Sequence, residues 1–139
     1  MIPTPAYLDT NVLILGMRDA HKPGNDCTRL LKALESGTER AFLDPVVVHE
    51  STYALLRIFK HLPREGVAST LVSVVNWPGI AGEKDVLVRT LELWGNTSGL
   101  GFADALLAVR AQLVGAQVYT KNVRELRSVG ATVPDPLPG

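Results

Sequence analysis

Three acidic residues stand where predicted secondary-structure elements begin or end. Asp9 follows the apolar run at residues 6–8, Glu50 lies early in a helical pattern, and Asp104 falls in the first turn of a nearly all-apolar helical pattern. Carboxylate oxygens without Cys or His suit hard cations such as Mg²⁺ and Mn²⁺. Three carboxylates close together would repel one another unless cations held them. If the fold brings these acids together, the sequence therefore predicts a divalent-metal site.

Each of these residues also has an ordinary structural role open to it. Asp9 could cap the helix that begins after it. The Asp104 carboxylate could simply be a first-turn residue that interacts favourably with the positive N-terminal end of its own helix. Glu50 could be a solvated carboxylate at the border of an apolar stripe. Asn122 lies just beyond the predicted strand at 117–120 and could cap the helix that follows. The residues alone leave both interpretations open.

The elements that would position these side chains alternate between short strands and helices. Apolar periodicity and turn residues predict strands at 6–8, 41–44, 117–120 and 131–133, with a weak one at 79–82. They predict helices at 10–15, 23–36, 45–60, 64–75, 85–94, 102–114 and 123–128. Such alternation is typical of an α/β domain with a mostly parallel sheet. Ligands collect at the carboxyl edge of such a sheet, where Asp9 and Asn122 would lie if their strands are neighbours.

Four residues mark predicted helix boundaries. Gly16 and Gly37 would end the first and second helices, since glycine commonly follows a helix C-terminus. Asp44 would cap the third helix, and Pro45 would occupy its first position.

The chain has 139 residues, of which 46% are apolar and 20% are charged. This length predicts one compact domain over residues 1–139, and the composition differs from that of disordered proteins. Fourteen basic and fourteen acidic residues give a net charge of zero, which excludes a strongly basic nucleic-acid-binding protein. Cys27 is the single cysteine and the three histidines lack metal-ligand spacing, which excludes zinc fingers and disulfide scaffolds. Without a signal-peptide pattern or a bilayer-spanning apolar run, we expect a cytoplasmic protein that does not associate with membranes.

Four segments of the chain follow the order of the motifs of a known family. They are Tyr-Leu-Asp-Thr-Asn-Val-Leu-Ile at 7–14, Glu50, Gly-Phe-Ala-Asp-Ala-Leu-Leu-Ala at 101–108 and Val-Tyr-Thr-Lys-Asn at 118–122. Over essentially its whole length the chain resembles the PIN-domain ribonucleases, and its length and motif order resemble the VapC-type toxins of toxin-antitoxin pairs. The resemblance implies an α/β, PIN-like three-layer fold, with a short central parallel sheet flanked by helices. It also implies an endoribonuclease that requires Mg²⁺ or Mn²⁺.

The resemblance assigns roles to four residues. It implies that Asp9 and Asp104 are the principal metal ligands and that Glu50 completes the acidic, catalytic group. Asn122 occupies the position where many relatives carry a fourth acid. This departure leaves three formal negative charges instead of four, so we expect a second metal ion to bind less tightly.

Further residues would support this site or contact the substrate. Thr10, Asn11 and Thr120 are expected to form hydrogen bonds that orient the ligands. Lys121 and Arg124 are candidates for contacts with the RNA backbone, because a chain of zero net charge must bind RNA through local cations.

The partners that the resemblance implies are an RNA substrate, a cognate antitoxin protein and a second copy of the chain in a homodimer. The alternative is a catalytically weak, PIN-like module that binds RNA or a protein partner, as the missing fourth acid would allow. A phosphatase in which Asp9 accepts a phosphoryl group is disfavoured, because that pattern needs a second Asp where this chain has Asn11. Metal-dependent RNA cleavage distinguishes these hypotheses.

Overall fold

A computed structural model of the chain describes residues 4–22 and 24–139. The helices are α1 Thr10–Arg18, α2 Asp26–Ser36, α3 Pro45–Ile58, α4 Arg64–Val75, α5 Lys84–Asn96, α6 Phe102–Val114 and α7 Val123–Ser128. Two short strands, β1 Ala41–Phe42 and β2 Ile80–Ala81, lie between α2 and α3 and between α4 and α5. No helix in the described ranges combines the length and apolarity needed to cross a membrane.

The sheet is parallel and short. Ala41 pairs with Ile80, and Phe42 pairs with Ala81. On the other edge of β1, Phe42 forms a parallel bridge with Tyr7, in which the Phe42 N–H donates to the Ala6 carbonyl at 2.8 Å. The predicted α/β class with a short parallel sheet among helices is therefore confirmed.

Side chains alternate across this sheet as the pleat requires. Leu8, Leu43 and Ile80 are buried in the main hydrophobic core. The intervening residues Tyr7 and Phe42 are exposed on the opposite face. We call this second side of the sheet, which carries Tyr7, Phe42 and Ala81, the open face.

The core consists of two clusters that meet along α6. The first half of α6 contributes Phe102 and Ala105 to the main cluster, which joins the sheet to α1–α5. The second half of α6 contributes Ala108 and Ala111 to a smaller cluster with residues from 118–133. One helix therefore connects the main body of the protein to its C-terminal segment.

Arg64 fixes the loop that leads into α6. Its guanidinium donates hydrogen bonds to the Trp94 and Leu100 carbonyl oxygens and lies 4.3 Å from the centre of the Trp94 ring. These contacts join the start of α4 to the end of α5 and to the residues that precede Gly101. The first turn of α6, which holds Asp104, is thereby anchored to the helical layer.

The predicted helix boundaries are correct in part. Asp44 caps α3 by accepting a hydrogen bond from the Val46 N–H at 2.9 Å, and Pro45 is the first helical residue. Gly37 adopts a left-handed conformation at the end of α2, with φ of 86°. The predicted start of the second helix at Pro23 lies outside the described residues.

Four other predictions of local structure are wrong. Helix α1 continues past Gly16 to Arg18; Gly16 instead allows α1 to pack closely against α2, since a Cβ there would lie 2.5 Å from Leu31 Cδ1. Segment 6–8 forms only a single bridge at Tyr7, and segments 117–120 and 131–133 do not form regular strands. A hydrogen bond from the Val118 N–H to the Thr132 carbonyl, 2.9 Å long, joins these two segments, but it does not extend into a ladder.

Candidate functional site

The start of α1 is connected to the middle of α3 through Thr10. Asp9 is the N-cap of α1, in extended backbone conformation, and its Oδ1 accepts a hydrogen bond of 2.8 Å from the Thr10 N–H. The Thr10 hydroxyl donates to Glu50 Oε1, also at 2.8 Å. The capping role considered for Asp9 is therefore real, and it places this carboxylate next to the residue that binds Glu50.

A second pair forms between α6 and the residue that precedes α7. Asp104 is the third residue of α6, and its Oδ2 accepts a hydrogen bond of 3.0 Å from the Asn122 amide nitrogen. The Asn122 N–H donates to Thr120 Oγ1 at 2.9 Å, which fixes the turn that presents the amide. Asn122 makes no side-chain capping bond to α7. Asn122 therefore occupies the N-cap position of α7, but its side chain is used on Asp104 and not on the cap.

A stack of two rings holds the helices of these pairs together. The His49 ring, on α3, lies 5.3 Å from the Phe102 ring with an interplanar angle of 23°. His49 directly precedes Glu50, and Phe102 begins α6 two residues before Asp104. The sequence did not predict a role for His49. Two features could have indicated the contact: His49 is next to Glu50, and Phe102 belongs to the Phe-Ala-Asp motif.

An ion pair that the sequence did not predict fixes α6 to the end of β2. Arg110 donates to both Glu83 carboxylate oxygens, at 2.8 and 2.9 Å. These hydrogen bonds hold the pKa of Glu83 below its ordinary value. Because Glu83 lies two residues after β2, this ion pair connects α6 to the carboxyl end of that strand.

The donor atoms suit a hard cation. Asp9, Glu50 and Asp104 each use one carboxylate oxygen in the hydrogen bonds above and leave the other without a protein donor among the described residues. Within residues 4–22 and 24–139, no three Asp, Glu, His or Cys side chains form a group that could hold a metal ion. Mg²⁺ commonly keeps several waters and takes one or two carboxylates from the protein, so a pair of these acids meets its chemical needs. Convergence of all three acids stays a prediction.

The remaining predicted residues lie at the surface. Lys121 and Arg124 are exposed on either side of Asn122, one before it and one in the first turn of α7. Asn11 is exposed in the first turn of α1. Their roles in RNA contact and ligand orientation stay predictions.

The chain was compared with known proteins at the level of family, sequence and structure. The family model described as PIN domain matches residues 6–131, a span that contains all four candidate site residues. No curated protein and no solved structure gives a significant match. PIN domains are generally nucleases, and they act on nucleic acid. By this match over most of its length, the chain belongs to the PIN domain family.

Proposed function

We propose that this protein is an endoribonuclease that hydrolyses RNA phosphodiesters with the help of Mg²⁺ or Mn²⁺. The observation that carries the proposal is the hydrogen bond from Asn122 to Asp104, which fixes one oxygen of that carboxylate and leaves the other available. The Thr10 hydroxyl does the same for Glu50. Hydrogen bonds of this kind orient ligating carboxylates in metal sites.

In the proposed reaction, one or two of the carboxylates of Asp9, Glu50 and Asp104 would bind the cation through their available oxygens, and waters would complete its coordination. A bound divalent cation would offset charge on the phosphate and lower the pKa of the attacking water. The water oxygen forms a bond to phosphorus while the bond from phosphorus to the 3′ oxygen breaks, and the proton that the water loses is balanced by protonation of the 3′ oxygen. The products are a 5′-phosphate and a 3′-hydroxyl, and no side chain acts as a nucleophile. Lys121 and Arg124 would hold the RNA backbone beside Asn122.

A map of the ends produced from total RNA tests this proposal. We expect new 5′-phosphate ends in the presence of Mn²⁺ or Mg²⁺ and their loss when the metal is chelated. Ends that carry a 2′,3′-cyclic phosphate, or cleavage that is unchanged by chelation, would contradict the proposed reaction.

A second candidate function is a binding module with weak catalysis. Two observations favour it: the amide at position 122, and the lack of a three-acid metal group among the described residues. Tight RNA binding without cleavage at saturating Mn²⁺ would support this function over the nuclease.

We also propose that the protein is the toxin of a toxin-antitoxin pair, active in the cytoplasm as a homodimer. Exposed apolar side chains on α3, including Val46 and Tyr53, offer surface for a second copy or an antitoxin. Light scattering should therefore give a dimer, and a monomer of 15.0 kDa at micromolar concentration would contradict this part of the proposal.

Expression of the chain alone should slow growth, and Asp9→Ala should relieve this effect. Because Asp9 also caps α1, Asp9→Asn is the second variant: it keeps an oxygen for the cap while removing the charge. Asp85→Asn, an exposed acid in the first turn of α5, should remain as toxic as the unchanged chain. Undiminished toxicity of both Asp9 variants would exclude RNA cleavage as the cause of the growth defect.

The variant Asn122→Asp should bind Mn²⁺ about 10-fold more tightly, since affinity rises with the number of ligand charges. Without metal the same change should lower the free energy of unfolding by about 1 kcal/mol, because it replaces a donated hydrogen bond by repulsion between two carboxylates. Calorimetric titration with Mn²⁺ and thermal unfolding in a chelator measure the two effects. Gln117→Glu, which adds the same charge at an exposed position outside the helices, controls for net charge. Unchanged affinity and stoichiometry would contradict the assignment of Asn122 to the site.

A further inference from the structure

Two aromatic rings lie side by side on the open face. The Tyr7 and Phe42 ring centroids are 5.1 Å apart, with an interplanar angle of 33°. Tyr7 is 73% exposed and Phe42 is 37% exposed. An aromatic pair this accessible offers a large contact area to a ligand or a partner.

The pleat connects these rings to the candidate site. Side chains two residues apart on a strand share a face, so Asp9 follows Tyr7 and Asp44 follows Phe42 toward the carboxyl end of the sheet. Arg40 precedes Phe42 by two residues and shares its face at the opposite end. Arg40 and Asp44 are four residues apart, so their Cα atoms are separated by about 13 Å at the ~3.3 Å rise per residue of a parallel strand. The open face therefore presents a cation, two rings and an acid in that order.

A cleft lies beside the rings. It has a volume of about 450 Å³, and Phe42, Ala81, Arg40 and Glu39 are among its lining residues. This volume falls in the range of small-ligand pockets. Across residues 4–22 and 24–139, Arg40 belongs to none of the ion pairs. Its guanidinium is therefore not paired with Glu39 of the same cleft and can contact a phosphate there.

We propose that Tyr7 and Phe42 form a base-stacking platform for single-stranded RNA, with Arg40 holding a phosphate and the strand running toward Asp9. The inference rests on the proposed nuclease function and deepens it by naming the form of the substrate. Bases that stack on aromatic rings must be unpaired, and such stacking tolerates any sequence. A protein partner would use the rings equally well, but the cation of Arg40 favours a polyanion, and the divalent cation proposed at Asp9 would attract a phosphate at the other end.

Binding of a labelled eight-nucleotide single-stranded RNA to the full chain tests the platform, with chelator present to prevent cleavage. Tyr7→Leu and Phe42→Leu should each raise the Kd by about 5- to 100-fold, and Tyr7→Trp should restore binding. His61→Leu, which removes an exposed ring beyond the far end of α3, should leave the Kd unchanged. The same RNA in duplex form should bind equally weakly to all variants.

An RNA whose bases are removed at the central nucleotides distinguishes stacking from other effects. The platform predicts that Tyr7→Leu has no effect on the Kd of this abasic RNA. An equal loss with intact and abasic RNA, or no loss with either, would overturn the proposal, as would absence of RNA binding by the unchanged chain. Dissociation of a dimer by Tyr7→Leu at constant Kd would show that the rings contact protein instead.

Cleavage assays separate this proposal from the nuclease function. Tyr7-dependent RNA binding without metal-dependent cleavage would overturn the nuclease proposal and support the platform. Cleavage by a chain whose RNA binding does not depend on Tyr7 or Phe42 would overturn the platform alone.

Discussion

Asp104→Asn should lower the rate of RNA cleavage by at least about 100-fold and leave the protein folded. Loss of a residue that merely orients a metal ligand costs 10- to 100-fold in affinity or activity, so loss of the ligand's own charge should cost at least the upper value. Asn has nearly the same shape as Asp, and its amide oxygen can still accept the hydrogen bond from Asn122. We therefore expect the cleavage rate to fall while the free energy of unfolding stays nearly unchanged.

Single-turnover cleavage with saturating Mn²⁺ and thermal unfolding measure these two quantities. Glu35→Gln is the matched control, because it converts an exposed acid near the end of α2, away from the candidate site, to its amide. We expect the control to cleave within about twofold of the unchanged chain, as a surface substitution away from the reacting groups should. Near-normal cleavage by Asp104→Asn at saturating RNA would show that Asp104 is not a metal ligand.

The largest effect on stability is expected for Gly79→Ala. A Cβ at Gly79 would lie closer than 3.0 Å to the carbonyl oxygens of Glu39 and Leu34. Both are backbone atoms. The Gly79 N–H also donates a hydrogen bond to the Leu34 carbonyl, and the Gly79 carbonyl accepts one from the Ala41 N–H. Neither Gly79 nor the neighbouring backbone can therefore move away without losing these hydrogen bonds. We expect the free energy of unfolding to fall by about 3 kcal/mol or more, which is a large part of the stability of an ordinary domain.

Gly66→Ala is the control for this change and should have the opposite sign. A Cβ at Gly66 would meet only ordinary contacts of 3.4 Å with Leu62 and Pro63, and Gly66 lies within α4. Replacing a helical glycine by alanine should stabilise the protein by about 0.5–1 kcal/mol. Denaturant unfolding of both variants checks the pair, and a Gly79→Ala protein as stable as the unchanged chain would contradict the close backbone packing.

Local signals in the sequence predicted much of the fold. The Asp44-Pro45 pair fixed the start of α3, and apolar periodicity located α4 and α6 at their observed bounds. These features depend on neighbours within a few residues, which periodicity and capping rules describe well. The motif residues of the candidate site were also recognisable, because Asp9 and Asp104 lie at the starts of α1 and α6.

Features that depend on distant contacts could not be predicted. Gly16 has the signature of a helix end, but its contact with Leu31 is a property of two packed helices. Segment 117–120 has the composition of a strand, yet it is not incorporated in the sheet. The His49–Phe102 stack joins residues more than fifty positions apart, and no local pattern reports it.

The division of the core into two clusters predicts a difference in local stability across the candidate site. The smaller cluster consists mainly of Ala and Val side chains, with Leu126 as its largest member, so opening it exposes less apolar surface than opening the main cluster. Regions with little buried apolar surface unfold locally at lower free energy than the protein as a whole. We therefore expect the amide hydrogens of the segment that carries Asn122 to exchange with solvent before those of α1 and α3. Such an opening would separate Asn122 from Asp104 and leave the hydrogen bond between Thr10 and Glu50 intact, so the two pairs of the candidate site differ in how readily they come apart.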